Sequence, residues 1–453
     1  MSNSEAQARL TVPTTSSTLE IEVLNSNFEL VGSGVGGLDA SLAPGLYEIR
    51  FREGSEHESR LLKVGAGPRV VEAPSFQPAS PAPVSDTSTT HEYHQQPVID
   101  ANDAIANQCA GGGPESGGLV VMVRNVRGQD NLEFQDPSGR LSILNSRLEP
   151  LGSPGNWQVE EQSGWALYGR AVVPGGYALR SEGGAEPIHQ ALWVDDGWQT
   201  LVFIPNTKTG PALDLATVHI ARVGQWSPWD DGSRTAIALE SVLDGLRSGR
   251  SVIPEDLNEL FHAKFVNPFL GIAAATAMLL NPKPSLPLLK TVLDNLEQLL
   301  PKNPDVVGLG HRALAAGAEI QPREGVEWPP LLYANYRALL RADANRPGVI
   351  ADGSQAESAA ARVRVSGLWT TWAASRRGRA RASIDIDVIG NAEEESDPAT
   401  ARVRAYVEDA ARVRKQRPVE ILDRKSLKQI ALATGLPSAA VRASISKLKV
   451  DFE

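Results

Sequence analysis

The residue types that commonly catalyse reactions are scattered along this chain and form no known catalytic pattern. Seven histidines are spread along the sequence, and His91 and His94 have no further ligand at metal spacing. The chain has no nucleophile elbow, no P-loop and no cysteine–histidine pairing of a known type. The acidic pair Asp230-Asp231 is typical of a solvated turn. We therefore predict that the protein is not an enzyme and binds no cofactor or metal.

One glycine-rich segment has the spacing of a dinucleotide-binding loop. Residues 32–37 read Gly-Ser-Gly-Val-Gly-Gly, which satisfies the G-x-G-x-x-G fingerprint. In a true dinucleotide site this loop opens a helix, but here the turn-forming pair Pro44-Gly45 follows within a few residues. The context favours a glycine-rich hairpin loop over a nucleotide site.

The sharpest local motif lies near the C-terminus, at residues 426–449. It predicts a helix, a glycine turn and a second helix, with Ala431 where the helices cross and Gly435 at the turn. The second helix is expected to pack against the first through three apolar residues, Val441, Ile445 and Leu448. The segment resembles a helix-turn-helix.

Two interpretations of this segment remain open. Residues 400–453 contain 12 Lys or Arg against 6 Asp or Glu, although the whole chain has a formal net charge of −10. If the second helix enters the major groove of DNA, the candidate contacts are Lys428, Ser438, Arg442 and Lys447. The alternative is a helical domain that docks a protein, and the Ala- and Ser-rich second helix favours it. DNA is therefore a possible partner and a protein is the preferred one.

Two sequence phrases recur in the N-terminal half in the same order. Residues 23–33 are similar to residues 143–153, and a Pro-Gly-x-Tyr-x-apolar-Arg phrase follows each, at 44–50 and 174–180. The shared Asn-Ser, Gly-Ser and Pro-Gly positions are turn residues, and the intervening stretches alternate like half-buried strands. The recurrence predicts a duplicated β-module, which is an internal repeat.

The second copy is longer between its two phrases. The extra residues lie at 154–164, with Trp157 inside the insertion and Trp165 directly after it. We predict that these two tryptophans mark a binding surface of the second module. Packing in the core is the other interpretation, because aromatic side chains dominate cores as well as interfaces.

The first copy resembles PEGA-type and carboxypeptidase-regulatory-like β-sandwiches. The resemblance is carried by Gly32-Ser33-Gly34 and by the Leu-x-Pro-Gly-x-Tyr-x-Ile stretch at 42–49. It implies a small β-sandwich and no particular activity.

Composition changes along the chain predict a multidomain β and α protein. It would have two β-sandwich modules, an α-helical array and a small helix-turn-helix-like domain. Residues rich in Pro, Ser, Thr and Gly separate the β-modules, which is typical of a disordered linker. The predicted boundaries are 17–73 and 118–228 for the β-modules, 74–117 for the linker, 233–375 for the helical domain, 376–399 for a charged linker and 400–453 for the C-terminal domain.

Several segments of the helical domain have clear boundaries. A helical stripe is formed by Leu289, Val292, Leu293, Leu296, Leu299 and Leu300. Asn303-Pro304 predicts a helix start, and residues 269–280 predict a buried helix. A capping box at Ser354 predicts a helix that continues to about Ala374.

The length and the amino-acid composition of the chain are those of an ordinary globular protein. The 453 residues are 42% hydrophobic and 22% charged, with one cysteine and neither a signal peptide nor a membrane-spanning run. We expect a cytoplasmic, non-enzymatic adaptor or scaffold that assembles protein partners, with a bacterial signalling or defence system as one context. A transcriptional regulator is the alternative, and a carbohydrate-binding protein is third. The sequence leaves the oligomeric state open.

Overall fold

The structure of the chain is a computed structural model. It describes residues 8–14, 16, 18–54, 56–76, 79–85, 87–126, 133–152, 156–182, 186–229, 231–251, 267–281, 283–365, 367–374 and 398–414, with 430, 433–434, 441–442, 444–445 and 448. Strands dominate its N-terminal half and helices follow, so the chain combines β-domains with α-helices.

The first β-domain consists of two sheets around one hydrophobic core. Its strands are β1 (Ala8–Val12), β2 (Glu20–Leu24), β3 (Leu30–Val35), β4 (Leu38–Leu42), β5 (Gly45–Glu53), β6 (Glu56–Val64) and β7 (Arg69–Val70). Sheet A has the order β4-β1-β7, and sheet B has the order β3-β2-β5-β6. Leu10 of sheet A and Ile49 of sheet B are fully buried in the same cluster, so apolar burial holds the sheets together.

The first β-domain begins earlier than the predicted boundary at residue 17. Strand β1 pairs with β4, and its Ala8, Leu10 and Val12 contribute to the core. The predicted hairpin at the glycine-rich segment is wrong, because Gly36 and Gly37 connect β3 of sheet B to β4 of sheet A, and these two strands do not pair with each other. The φ angles of the two glycines are +72° and +137°, which glycine adopts without steric cost.

The second β-domain also has two sheets. Its strands are β8 (Gly117–Arg124), β9 (Leu141–Leu144), β10 (Gln158–Glu160), β11 (Trp165–Val172), β12 (Gly175–Ser181), β13 (Ile188–Val194), β14 (Trp198–Thr207), β15 (Gly210–Pro211), β16 (Thr217–Arg222) and β17 (Thr371–Ala373). Sheet C has the order β10-β11-β8-β14, with β15 and β16 both paired to β14. Sheet D has the order β17-β13-β12-β9.

The recurring phrases occupy equivalent places in sheets B and D. Tyr47 of β5 faces Leu62 of β6, and Tyr177 of β12 faces Leu192 of β13. Each tyrosine hydroxyl donates to the carbonyl oxygen four residues earlier, at 2.8 Å for Tyr47 and 2.6 Å for Tyr177. Three further pairs match, namely Leu24–Glu48 with Leu144–Ala178, Val23–Ile49 with Ile143–Leu179, and Gly45–Val64 with Gly175–Val194.

The prediction of a disordered linker at 74–117 is wrong for the part that the structure describes. Helix α1 (Gln95–Cys109) packs against β8 and β11, with Val98 and Ile105 fully buried. The apolar stripe of this helix is hard to recognise in the sequence, because the buried residue between Val98 and Ile105 is the polar Asn102. The side-chain oxygen of Asn102 accepts a hydrogen bond from Gln199. A buried polar residue interrupts the helical stripe on which the prediction depends.

A buried arginine attaches the segment before α1 to sheet C. The Arg124 guanidinium on β8 donates to the carbonyl oxygens of Pro81 (2.6 Å), Ser80 (2.8 Å) and Thr89 (2.9 Å). Burial lowers the pKa of Arg124 to about 9, so this side chain stays charged at neutral pH. These bonds satisfy backbone carbonyl oxygens of this segment, which forms no strand of a described sheet.

Helices follow the second β-domain, and several begin where the sequence predicts. They are α2 (Asp231–Arg247), α3 (Pro268–Met278), α4 (Leu286–Leu299), α5 (Pro304–Ala315), α6 (Tyr333–Asn345), α7 (Gln355–Ala360) and α8 (Pro398–Arg414). Every residue of α3 is buried, and Leu289 to Leu296 form the buried stripe of α4. The Asn303 side chain caps α5 by accepting from the N–H of Asp305 at 2.9 Å.

The predicted long helix after Ser354 is wrong. Ser354 does cap a helix, because its hydroxyl accepts from the N–H of Glu357 at 3.1 Å, but α7 ends at Ala360. The chain then forms β17, in which Trp372 pairs with His189 of β13. The β-branched and aromatic residues at 369–372 are strand formers, and the open edge of sheet D offers them a partner.

The predicted boundary between residues 118–228 and 233–375 is also wrong. Val194 of β13, Leu270 of α3 and Leu289 of α4 belong to one hydrophobic cluster. The Asn303 amide also donates to Asp195 at 2.8 Å, next to the end of β13. The helices therefore complete the core of the second β-domain.

The C-terminal residues form a small helical core of their own. Val403 and Val407 of α8 are buried with Ile430, Val441 and Leu448 against Ala344 of α6. Most of the predicted charged linker at 376–399 lies outside the described residues, and α8 begins at Pro398. In the described part of the chain, no helix is long and apolar enough to cross a membrane.

Candidate interaction surfaces

One of the four candidate contacts predicted in the C-terminal domain lies within the described residues. Arg442 is exposed, while its neighbour Val441 is buried in the helical core. This agrees with a helix that packs one face and presents the other. The remaining three, Lys428, Ser438 and Lys447, lie outside the described residues.

The two candidate tryptophans of the second β-domain are partly buried. Trp157 packs against the main core with its ring centre 6.0 Å from that of Tyr168. Trp165 packs beside the cluster between α1 and sheet C. Both side chains therefore contribute packing, and a binding role for them stays a prediction.

The first β-domain exposes large apolar side chains on one side of sheet B. They are Phe28 (72% exposed), Leu30 (58%), Leu46 (54%) and Leu61 (77%), and together we call them the outer apolar face. Strand geometry explains why they are exposed. On β5 the core residues Tyr47, Ile49 and Phe51 alternate with outward residues, the first of which is Leu46.

Leu46 and Leu61 are close neighbours on this side of the sheet. Leu46 pairs with Lys63 and Leu61 pairs with Glu48, so the two leucines are diagonal partners on adjacent strands. Diagonal positions of this kind are roughly 7–8 Å apart. The leucines therefore form one continuous apolar surface.

The equivalent side of sheet D is covered. Leu144, Ala178 and Ala191 belong to a hydrophobic cluster with Trp328 and Tyr336, which lie outside the sheet. By register, Ala178 corresponds to Glu48 and Ala191 to Leu61. The same face thus belongs to a hydrophobic cluster with Trp328, in the loop before α6, in the second β-domain and is exposed in the first.

The turn that carries Phe28 is built like its counterpart in the second β-domain. The Asn25 side-chain oxygen accepts from the N–H groups of Asn27 (2.9 Å) and Glu29 (3.0 Å). Phe28 has φ of +61°, and the equivalent Leu148 has φ of +60°. Non-glycine residues rarely adopt this conformation, and it costs about 1–2 kcal/mol.

The two equivalent turn residues differ in their surroundings. Leu148 packs against the cluster that covers sheet D, whereas Phe28 is the second most exposed of the large apolar side chains that the structure describes. A strained backbone that presents an exposed aromatic ring is typical of a recognition site.

Charged residues lie within and beside the outer apolar face, because Glu48 pairs with Leu24 of β2 and with Leu61 of β6. Arg50 donates to Glu48 at 2.8 Å, and this ion pair lowers the pKa of Glu48 and raises that of Arg50. Lys63 is exposed beside Leu46. The face therefore combines exposed apolar side chains with charges of both signs.

A cleft of about 340 Å³ lies at one end of sheet D. Its lining includes Arg140, Arg364 and Trp369, together with hydroxyl groups from Thr209 and Thr371. Paired guanidinium and hydroxyl groups are suited to small anions. The lining also includes the carboxylate of Asp214 and the hydroxyl of Ser181.

Several histidines are buried, and His94 makes polar contacts. His94 lies next to Arg124, and a ring nitrogen of His94 is 2.7 Å from the carbonyl oxygen of Ser163. Burial lowers the pKa of His94 and of His219 to about 3, and that of His189 to about 4. Among the described residues, no three His, Cys, Asp or Glu side chains could hold a metal ion together.

Sequence reasoning missed the outer apolar face, although a signal for it is present. Leu61-Leu62 and Leu46-Tyr47 are adjacent apolar pairs within strands. Successive strand residues point to opposite sides, so one member of each pair must point away from the core.

No protein-family model and no curated protein matches the chain.

Proposed function

We propose that this protein is a non-enzymatic adaptor, and that its first β-domain binds a protein partner through the outer apolar face. The observation that carries the proposal is the exposure of Phe28, Leu30, Leu46 and Leu61 on a side of sheet B whose counterpart in sheet D is buried. Contiguous apolar surface with a charged border marks interaction sites on soluble proteins.

The energetics support a reversible complex. Full burial of a leucine or phenylalanine side chain contributes roughly 1.5–3 kcal/mol, so covering these four contributes on the order of 5 kcal/mol. The losses of rotational and translational freedom on association oppose this gain. Additional contacts at the charged border are therefore needed for stable binding.

The proposal is tested by comparing partners recovered with three forms of the full-length chain. The forms are the wild type, the double variant Leu46→Glu/Leu61→Glu, and the control Leu215→Glu, whose leucine is 48% exposed on the second β-domain. We expect a protein that the wild type and the control recover in stoichiometric amount and that the double variant recovers about tenfold less. Equal recovery with all three forms would contradict the proposal.

Misfolding of the double variant must be excluded. Exposed substitutions usually change the free energy of unfolding by less than about 0.5 kcal/mol each. Denaturant unfolding of the three forms checks this.

A second candidate function is transcriptional regulation through the C-terminal domain. Val441 is buried while Arg442 is exposed, which is the arrangement expected of a recognition helix. We expect the full-length chain to shift duplex DNA at low salt, with affinity that falls as salt rises because phosphate contacts release counterions. Arg442→Ala should weaken the shift. Absence of any shift at low salt would remove this candidate.

A further inference from the structure

We infer that the cleft at the end of sheet D binds a small organic anion, in which one carboxylate or phosphate group is joined to an apolar body. The cleft belongs to the second β-domain, so a ligand there is independent of a partner on the outer apolar face. Its volume of about 340 Å³ is within the range of small-molecule sites, which is roughly 300–1,000 Å³.

Two arginines give the opening of the cleft a positive charge. Arg140 and Arg364 are exposed and line the cleft, and in the described part of the chain neither guanidinium group has a hydrogen-bond or ion-pair partner. Among the described lining residues the only carboxylate is that of Asp214, so positive charge is in excess although the whole chain has a formal net charge of −10. This small excess suits one anionic group better than a polyanion.

Apolar side chains form the closed end of the cleft. Trp369 is 2% exposed and Leu213 is 6% exposed, and Ile188 and Leu368 also contribute to the lining. A molecule that enters therefore meets the guanidinium groups first and apolar surface further in. An inorganic ion would leave this apolar surface in contact with water, whereas an apolar group would cover it.

The closed end is held in place by the helices. The ring of Trp369 is stacked on that of Phe269 in α3, with ring centres 6.0 Å apart and planes inclined by 23°. The N–H of Thr370 donates to the carbonyl oxygen of Leu331 at 2.7 Å. A site that is already formed loses less conformational entropy when a ligand binds.

The two arginines are positioned by backbone contacts from segments that are distant in sequence. The carbonyl oxygen of Arg140 accepts from the N–H of Glu182 at 2.9 Å, and the N–H of Arg364 donates to the carbonyl oxygen of Thr371 at 2.8 Å. Gly210 leaves room for the first guanidinium group, because a Cβ atom at this position would be 3.2 Å from Nη1 of Arg140. The arginines therefore meet at the cleft only in the folded chain.

Acidic side chains of this chain outside the described residues are the competing occupants. The longest acidic run of the sequence is Glu393-Glu394-Glu395, and it lies outside the described residues. Residues 391–397 supply carboxylates but contain no large apolar side chain that could cover Trp369. A separate molecule with an apolar body satisfies both ends of the cleft.

The test is isothermal titration calorimetry of the full-length chain with benzoate, phenyl phosphate and inorganic phosphate. The variants are Arg140→Gln and Arg364→Gln, and the control is Arg147→Gln, an exposed arginine of the same domain that does not line the cleft. Denaturant unfolding checks that all three substitutions preserve the fold.

We expect benzoate or phenyl phosphate to bind the wild type and the control with a stoichiometry of about one, and the tighter of the two probes identifies the anionic group. Each cleft variant should bind that probe about tenfold more weakly, because a hydrogen bond to a charged group is lost. Inorganic phosphate should bind at least about tenfold more weakly than that probe, because it covers no apolar surface.

Four results would overturn the inference. The first is that neither organic probe binds the wild type at about 10 mM. The second is equal affinity in the wild type and both cleft variants, which would place the probe elsewhere. The third is inorganic phosphate that binds as tightly as the organic probes. The fourth is binding that is seen only in the variant Glu393→Gln/Glu394→Gln/Glu395→Gln, because the chain itself would then occupy the cleft.

Discussion

The indole of Trp328 lies directly on the backbone of Gly176. A Cβ atom built on Gly176 would be 2.2 Å from Cδ2 of Trp328, far below any real contact. The register position of Gly176 in sheet D is occupied by Leu46 in sheet B, and that leucine is 54% exposed. The position that Trp328 covers in sheet D thus carries an exposed leucine in sheet B.

Gly176→Leu should detach the cover of sheet D. The leucine side chain would displace Trp328 from its position, and overpacking of this kind typically costs about 1–3 kcal/mol, occasionally more. We expect the free energy of unfolding, measured with denaturant, to fall by at least about 2 kcal/mol. The matched control is Gly139→Ala, because no atom lies within 4 Å of a Cβ at that position. A variant as stable as the wild type would show that Trp328 is free to move.

Phe28→Gly should stabilise the first β-domain while weakening partner binding. Relief of the strain at φ +61° is worth about 1–2 kcal/mol, and the greater freedom of glycine in the unfolded chain offsets about 0.5–1 kcal/mol. The net expectation is a gain of up to about 1 kcal/mol in the free energy of unfolding.

The control for Phe28→Gly is Leu148→Gly, which removes the same strain but also removes contacts with the cluster over sheet D. We expect this control to be destabilising. The pair of variants is compared by denaturant unfolding and by recovery of the partner. An unchanged recovery with Phe28→Gly would mean that the phenylalanine has no role in binding.

Arg124→Met should release the segment before α1. The substitution leaves the carbonyl oxygens of Pro81, Ser80 and Thr89 without their donor in a buried site. A buried acceptor left without its donor costs about 1–3 kcal/mol. We expect a corresponding fall in the free energy of unfolding and faster proteolysis within residues 79–94.

A surface arginine provides the control for Arg124→Met. Arg346 pairs with Glu324 at a site where both side chains are more than half exposed. Such pairs contribute between zero and about 1 kcal/mol. Arg346→Met should therefore leave both unfolding and proteolysis nearly unchanged, and an equally large effect there would argue against a special role for Arg124.

Asp305 should make stability depend on pH. Its carboxylate accepts from the N–H groups of Leu331 (2.6 Å) and Leu332 (2.9 Å), but burial dominates and raises its pKa to about 6 from 3.8. The folded protein therefore binds a proton more tightly than the unfolded chain does. The stabilising contribution is complete below about pH 3.8 and is lost as the pH rises through 6.

The variant Asp305→Asn removes this titration and places an amide group against the N–H donors. We expect it to lower the free energy of unfolding at every pH, by about 1–3 kcal/mol at pH 7. Because the wild type gains stability towards acid at this site, the gap between the two proteins should widen by up to about 3 kcal/mol at pH 4. A gap that narrows towards acid would mean that folding lowers the pKa of Asp305 instead of raising it.

The sequence predicted correctly those elements whose formation depends on residues that are close to each other along the chain. The cap at Asn303 and the stripe of α4 depend on residues close in sequence, and the structure contains both. Helix α1 was not predicted because its buried face includes Asn102. That residue is tolerated in the core only because Gln199, distant in sequence, satisfies it.

The sequence by itself determined the two matching strand sets of sheets B and D, because turn residues and alternating apolar positions act over a few residues. The structure alone decided which sheet is covered. Strand β17 and helix α6 reach sheet D from more than 130 residues downstream, and no local pattern encodes such a contact. Whether Leu46 or Gly176 faces solvent or a neighbour depends on what the remainder of the chain packs against it, and packing is a property of the folded whole.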